Sequence, residues 1–184
     1  MTLQLHLGCG KRYIPGFVHI DIDDFPHIDY RTIIDKLPMF GDNVADLIYC
    51  CHAFPYFDRF QAADVLTEWR RVLKPGGVLR LAVFDFEALV LVYQRTGDLN
   101  QMLGPLFGRM GIRTPEGESI IYERTVYDYR SLEELCLTAG FRLFRRYDWR
   151  QTIHKDYDDY SQAYKPHMDK EQGFLISLNV EAVK

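Results

Sequence analysis

Apolar positions along the chain gather in short runs separated by polar turns, with one stretch of clear helical period. Leu3–Leu7 reads as a first strand and Val18–Asp21 as a second. Ile28–Tyr30 makes a short third, and Ala45–Cys50, apolar with β-branched and aromatic residues, a buried fourth. Phe60–Leu73 reads as a helix, because Val65, Leu66, Trp69, Val72 and Leu73 fall on a single stripe. Lys74-Pro75-Gly76-Gly77 ends it, since proline cannot continue the hydrogen-bond ladder and glycine accepts positive φ. Val78–Phe84 is then a fifth strand and Phe86–Arg95 a helix with Leu89, Val90 and Tyr93 on one side.

Residues 97–130 show no clean period and read as loops around a short helix at Gln101–Phe107. Ser131 is placed to cap a further helix, with Glu133 and Glu134 in its first turn and Ala139-Gly140 as its stop. Phe141–Trp149 and Gly173–Val183 close the pattern as strands. Strands alternating with helices predict an α/β fold with a parallel sheet and right-handed crossovers. The last two strands have no helix between them, which predicts an antiparallel final strand. In open sheets of this kind the ligand lies beyond the carboxyl ends of the parallel strands. The long connections 97–130 and 150–172 are therefore expected to roof a site at that edge.

The residues with the most chemical content stand at the first turn. Gly8-Cys9-Gly10 forms an elbow directly after the first strand, and Asp21 ends the second. Glycines there let backbone N–H groups approach a charged ligand, and a carboxylate offers two acceptor oxygens to two adjacent ribose hydroxyls. A dinucleotide fingerprint would need a third glycine where Tyr13 stands and an acid about 20 residues beyond the elbow. A phosphate-binding loop would need Ser or Thr after Lys11, where Arg12 stands. These mismatches leave a ligand with a ribose and no obligatory pyrophosphate. Asp23 and Asp24 compete with Asp21 for the ribose role or serve as turn residues.

Three stretches in order, Leu7-Gly8-Cys9-Gly10, Asp46-Leu47-Ile48-Tyr49-Cys50 and Trp69–Leu79 with its Leu-Lys-Pro-Gly-Gly turn, resemble the motifs of class I S-adenosylmethionine-dependent methyltransferases. The nearest likeness is to the short type 11-like branch with a compressed first crossover. The resemblance implies a Rossmann-like, mostly parallel seven-stranded sheet with helices on both faces, forming one domain over 1–184. It implies S-adenosylmethionine as cofactor, held by Gly8, Cys9, Gly10, Asp21, Asp35, Cys50 and His52. Asp35, before Lys36-Leu37-Pro38, would face the adenine amino group, and His52 would stand near the methionine end. Similar proteins often carry Glu-His where this chain has Pro55-Tyr56, and proline where it has Phe84. Asp85 would face the pocket or cap the next helix.

The connection 150–172 is rich in histidine, aspartate and tyrosine. His154 or His167 would serve there as a general base for a methyl acceptor, since imidazole titrates near neutral pH. A tyrosine-rich cover packed on the sheet edge is the structural alternative. Asp156, Asp158 and Asp159 lack the glycine and terminal glutamate of a calcium loop, so no metal is expected. Cys9, Cys50, Cys51 and Cys136 form no C-x-x-C pair, and the adjacent cysteines fit a buried strand end in a reducing compartment.

Composition narrows the classes. A hydrophobic share of 47% is that of an ordinary globular chain, and no apolar run is long enough to span a bilayer. A net charge of −4 disfavours a general nucleic-acid binder. The opening residues read as a strand and not as a charged stub with an apolar core, so a cytoplasmic location is expected. The expected activity is methyl transfer to a small polar acceptor, a hydroxyl or amine compound such as a saccharide. The competing readings are a binding module that holds the nucleoside without catalysis and a nucleotide-sugar enzyme.

Overall fold

The computed structural model describes residues 2–114 and 117–184. Its strands are β1 (Gln4–Leu7), β2 (Val18–Asp21), β3 (Tyr30–Arg31), β4 (Ala45–Cys51), β5 (Leu73–Phe84), β6 (Met110–Thr114), β7 (Gly117–Ile121), β8 (Arg142–Arg146), β9 (Tyr164–Lys165), β10 (Phe174–Leu175) and β11 (Ser177–Val183). The helices are α1 (Gln61–Val72), α2 (Phe86–Thr96), α3 (Asn100–Phe107) and α4 (Tyr129–Thr138). Seven strands form the main sheet in the order β3-β2-β1-β4-β5-β11-β8. β1 to β5 pair in parallel, and β11 runs antiparallel to both β5 and β8. This is the predicted α/β architecture with an antiparallel last strand. The chain enters β8 directly from α4, and after the 150–172 connection β11 turns back to lie between β5 and β8.

The two faces of the sheet differ because alternate residues of each strand point opposite ways. Leu5 and Leu7 of β1, Ile48 and Cys50 of β4, Leu79, Leu81 and Val83 of β5, and Leu178 and Val180 of β11 share one face. α1 covers it with Val65, Leu66, Trp69 and Val72, and α4 with Leu132 and Cys136. α4 is capped by Asp128, whose carboxylate accepts from Ser131 N–H at 2.7 Å, while Ser131 Oγ meets Asp128 N–H at 3.1 Å. Ser131 thus occupies the third helical position of a capping box, and the cap stands three residues earlier than the sequence suggests.

The opposite face carries His6, His19, Tyr49, Arg80, Asn179 and Glu181, all of which are polar. It is covered by short 3-10 turns at Trp149–Gln151, Ile153–Asp156 and Tyr160–Gln162, and by Ile14 and Phe17 of the compressed first crossover. α2 and α3 stand at its carboxyl end, where Leu89, Val92 and Met102 pack with Ala163 and Ile176. The 150–172 connection is therefore chiefly a face cover. Among its residues Tyr160 reaches the carboxyl edge, beside His52 and Phe84.

The segment 97–130 holds the expected short helix as α3 and, where only loops are expected, the antiparallel ribbon β6–β7. It runs from the end of β5 across to the tip of β2. There Arg113 donates from its backbone N and from Nε to Asp23 Oδ1, both at 3.2 Å, and from Nη2 to the Asp24 carbonyl at 3.1 Å. Arg31 closes the joint by donating to the Arg113 carbonyl at 2.6 Å. This segment does roof the carboxyl edge.

Candidate active site

The elbow is built from two glycines with different duties. Gly8 (φ +63) donates its N–H to the Ile20 carbonyl at 2.8 Å, and a Cβ there would stand 2.1 Å from Ala53 Cβ. It is glycine because the turn after β4 presses against it. Gly10 (φ +52) has open space where a side chain would be, so its outer surface is free for a ligand. Asp21 ties the elbow to β2. Its Oδ2 accepts from Gly10 N–H at 2.7 Å and its Oδ1 from Asp23 N–H at 2.8 Å.

These bonds use one acceptor site on each carboxylate oxygen and leave one lone pair on each. Asp21 is 8% exposed, and burial, with the Asp23 carboxylate adding to it, outweighs the backbone donors of Asp23, Gly10 and Ile22, so its pKa is raised. Burial also pushes Asp23 upward, but the N–H groups of Asp24 and Arg113 overcome it and its pKa is lowered. Asp23 and Asp24 thus serve the joint with the ribbon. Asp21 stands alone beside the elbow. This geometry fits the ribose role assigned to it from the sequence.

The other predicted site residues fall into two groups. Cys9, within the elbow, and Cys50, on β4 beside the end of β1, are both buried. Burial, with the Asp21 carboxylate adding to it, raises the Cys9 thiol far above its usual value, and burial pushes Cys50 up to about 12. Both are neutral packing groups at neutral pH. His52 follows β4 with φ +55, an uncommon conformation for a non-glycine residue. Its ring meets Ser177 Oγ through Nε2 at 3.1 Å and Phe84 edge-on, and burial lowers its pKa to about 3. Asp35 lines a cleft of about 570 Å³ with Lys36, Phe57, Gln61 and Glu68, and its neighbour Ile34 lies against Gly8 of the elbow. Asp85 caps α2, accepting from Glu87 N–H at 3.1 Å, and pairs with Arg146 at 3.1 Å.

The two histidines of the 150–172 connection part company. His154 has no exposed surface. It stacks on Tyr49 with ring centroids 3.8 Å apart and meets Arg80 Nη1 through Nε2 at 3.1 Å. Burial, helped by the Arg80 guanidinium, lowers its pKa to about 3. That position beneath the sheet face gives it a structural role and no path to an acceptor. His167 is exposed. Of the three aspartates, Asp159 is buried and accepts from Tyr49 OH at 2.6 Å and from Ser161 Oγ at 2.5 Å, while Asp156 and Asp158 are exposed. Among the described residues no group of three His, Cys, Asp or Glu side chains is placed to hold a metal ion. No helix of the described residues is long and apolar enough to cross a membrane.

Sequence reasoning missed the groups that line the edge from above. Tyr56 donates from its OH to the Gly108 carbonyl at 2.5 Å, and Glu123 lies beside Gly108 with 8% exposure. The signal for Glu123 was present, as an acid directly after the apolar and aromatic run Ile120-Ile121-Tyr122. The Arg113–Asp23 joint has no local signature, because its partners lie 90 residues apart.

The fold is shared with known proteins. Residues 19–81 match a family model described as "Methyltransferase domain". No curated protein matches the sequence. Among solved structures, a putative S-adenosylmethionine-dependent methyltransferase from Listeria monocytogenes is similar with a TM-score of 0.53 at 16% identity, covering 100% of this chain and 91% of that one. A methyltransferase from Methanosarcina mazei gives 0.55 at 19% identity, over 98% and 91%. The 1,6-didemethyltoxoflavin-N1-methyltransferase of Burkholderia thailandensis, with 1,6-didemethyltoxoflavin and S-adenosylhomocysteine bound, gives 0.57 at 13% identity, over 99% and 70%. Identities this low speak for the fold.

Proposed function

We propose that this protein, which has the class I methyltransferase fold and a methyltransferase-domain match over residues 19–81, binds S-adenosylmethionine at the Gly8–Gly10 elbow and transfers its methyl group to a small polar acceptor. The observation that carries the reading is the pairing of Gly10, open on its outer side, with Asp21, buried and still possessing free acceptor capacity. Bound there, the cofactor supplies a methyl group already activated on a sulfonium. The residues of the chain then have three tasks. Gly10 lets the ligand lie against the backbone, Asp21 grips two hydroxyls, and the roof formed by α3 and the β6–β7 ribbon excludes water. Positioning of this kind is worth about 7–11 kcal/mol in favourable cases.

Asp35 is proposed to mark the adenine end, at the mouth of the cleft beside α1. The acceptor end is bounded by His52, Tyr56, Glu123 and Tyr160. Cys9, Cys50 and His52 serve as neutral walls. His167, exposed in the 150–172 connection, is the histidine of that connection left to serve as a general base. A cytoplasmic, single-domain enzyme acting without nucleic acid or membrane is the setting proposed for it. The 1,6-didemethyltoxoflavin bound by the Burkholderia protein is a small-molecule precedent on the same fold.

Gly10→Ala tests the reading. A methyl at that position enters the space proposed for the ligand and costs the fold only about 1–2 kcal/mol for a side chain at positive φ. Affinity for S-adenosylhomocysteine is expected to fall at least tenfold while the circular dichroism spectrum is kept. Unchanged affinity would place the ligand elsewhere.

A further inference from the structure

We propose that Glu123 is the acceptor-recognition group of this site and that the acceptor it takes is an amine, an inference that rests on the methyl-transfer reading above. The backbone fixes where Glu123 stands. Its own N–H donates to the Phe107 carbonyl at 3.0 Å, and the N–H of Arg124 donates to the Pro55 carbonyl at 2.8 Å. The side chain is thereby held between the end of α3 and the turn after β4, the same turn whose Ala53 presses on Gly8. A Cβ on Gly108 would come within 2.6 Å of Glu123 Cγ and Oε1, so the glycine there, at φ +44, makes room for this acid.

The carboxyl has no cationic partner. Among the described residues no Lys, Arg or His nitrogen pairs with it, and none donates a hydrogen bond to it. Neighbouring Arg124 reaches away toward Gln61 Oε1 at 3.5 Å. The titratable group facing it is the phenol of Tyr56, from the turn after β4, and Tyr56 in turn neighbours Tyr160 of the 3-10 cover. The end of α3 brings the Phe107 carbonyl and Gly108, which carry no charge. Burial alone pushes the Glu123 carboxyl up to about 8. Its oxygens are not sealed and partnerless in the way that Nδ1 of His52 and Nδ1 of His154 are.

A buried acid without a protein cation stays costly in its charged form until something supplies the opposite charge. A hydroxyl acceptor would leave that charge uncompensated. An ammonium brings both the positive charge and the donors. Once it is paired, the carboxylate takes one proton from the ammonium and frees the nitrogen lone pair. The nitrogen then bonds to the methyl carbon as the carbon–sulfur bond breaks with its electron pair going to sulfur. The product carries the charge away as an N-methylammonium, and Glu123 keeps the proton until solvent removes it.

The test is a carbon-13 NMR titration of the Glu123 carboxyl in the full chain, assigned by its loss in Glu123→Gln. It is made on the free protein, with S-adenosylhomocysteine, and with S-adenosylmethionine. The expected result is proton binding at least tenfold weaker with the sulfonium than with the neutral thioether. Equal titrations with both ligands bound overturn the inference and leave the cofactor reading standing. Failure of either ligand to bind overturns both. Methylammonium chloride added to the S-adenosylhomocysteine complex, against potassium chloride at equal ionic strength, is expected to weaken proton binding further. No difference between the two salts rules out the amine.

Discussion

One face of the central sheet is dry and the other is wired with polar groups. On the first, Trp69, Leu66 and Phe54 pack against Leu5, Ile48 and Leu81, and Trp69 Nε1 finds the Ile34 carbonyl at 2.7 Å. On the second, Arg80 and Glu181 pair at 2.7 Å, Tyr49 bonds Asp159, and Asn179 donates to the Ser161 carbonyl at 2.8 Å. The dry face gets its stability from area removed from water, whatever the partner. The wired face keeps its cover in a single register, because each buried polar atom needs a particular partner. The 3-10 cover has little regular structure of its own, and its position is specified by these bonds.

Substitutions on the two faces should therefore fail in different ways. Trp69→Ala removes the largest fully buried side chain and is expected to cost about 3–5 kcal/mol, measured by urea unfolding. Arg80→Met leaves Glu181 with the exposed Arg145 at 3.0 Å as its remaining partner. The loss is expected near 2 kcal/mol, below the ~3–5 of a fully orphaned buried charge. Arg80→Met combined with Glu181→Leu should recover most of it. A double variant no more stable than the single would show that the pair contributes more than mutual neutralisation. Tyr49→Phe deletes one bond to Asp159 and is expected to cost about 1 kcal/mol. It should also increase hydrogen exchange in residues 153–162 more than in α1. Equal exchange in both places would remove the distinction between the faces.

The same contrast explains what the sequence discloses. α1 was legible because Val65, Leu66, Trp69, Val72 and Leu73 repeat with the helical period, and burial needs no named partner. The elbow and Asp21 were legible because a strand, two glycines and an acid lie within one short stretch. The ribbon β6–β7 was not, since Gly111 and Gly117 interrupt its alternation. The cap at Asp128 was missed because a serine at the third position looks like a cap itself. The expected role of His154 came from residue type alone. Its actual neighbours, Tyr49 and Arg80, lie 105 and 74 residues away in the chain, and only the assembled sheet face brings them together. Glu123 belongs to the same class, since an acid among apolar residues is visible in sequence while the absence of a cation near it is not.

The central claim is that the first elbow and Asp21 hold an adenosyl ligand. Isothermal titration of the protein with S-adenosylhomocysteine, repeated for Asp21→Asn and with NAD and a uridine diphosphate sugar as rival ligands, tests it most directly. The account predicts one site per chain for S-adenosylhomocysteine, a loss of affinity of at least thirtyfold in Asp21→Asn, and no heat from either rival. Binding of a rival in place of S-adenosylhomocysteine, or equal affinity in the variant, would contradict it.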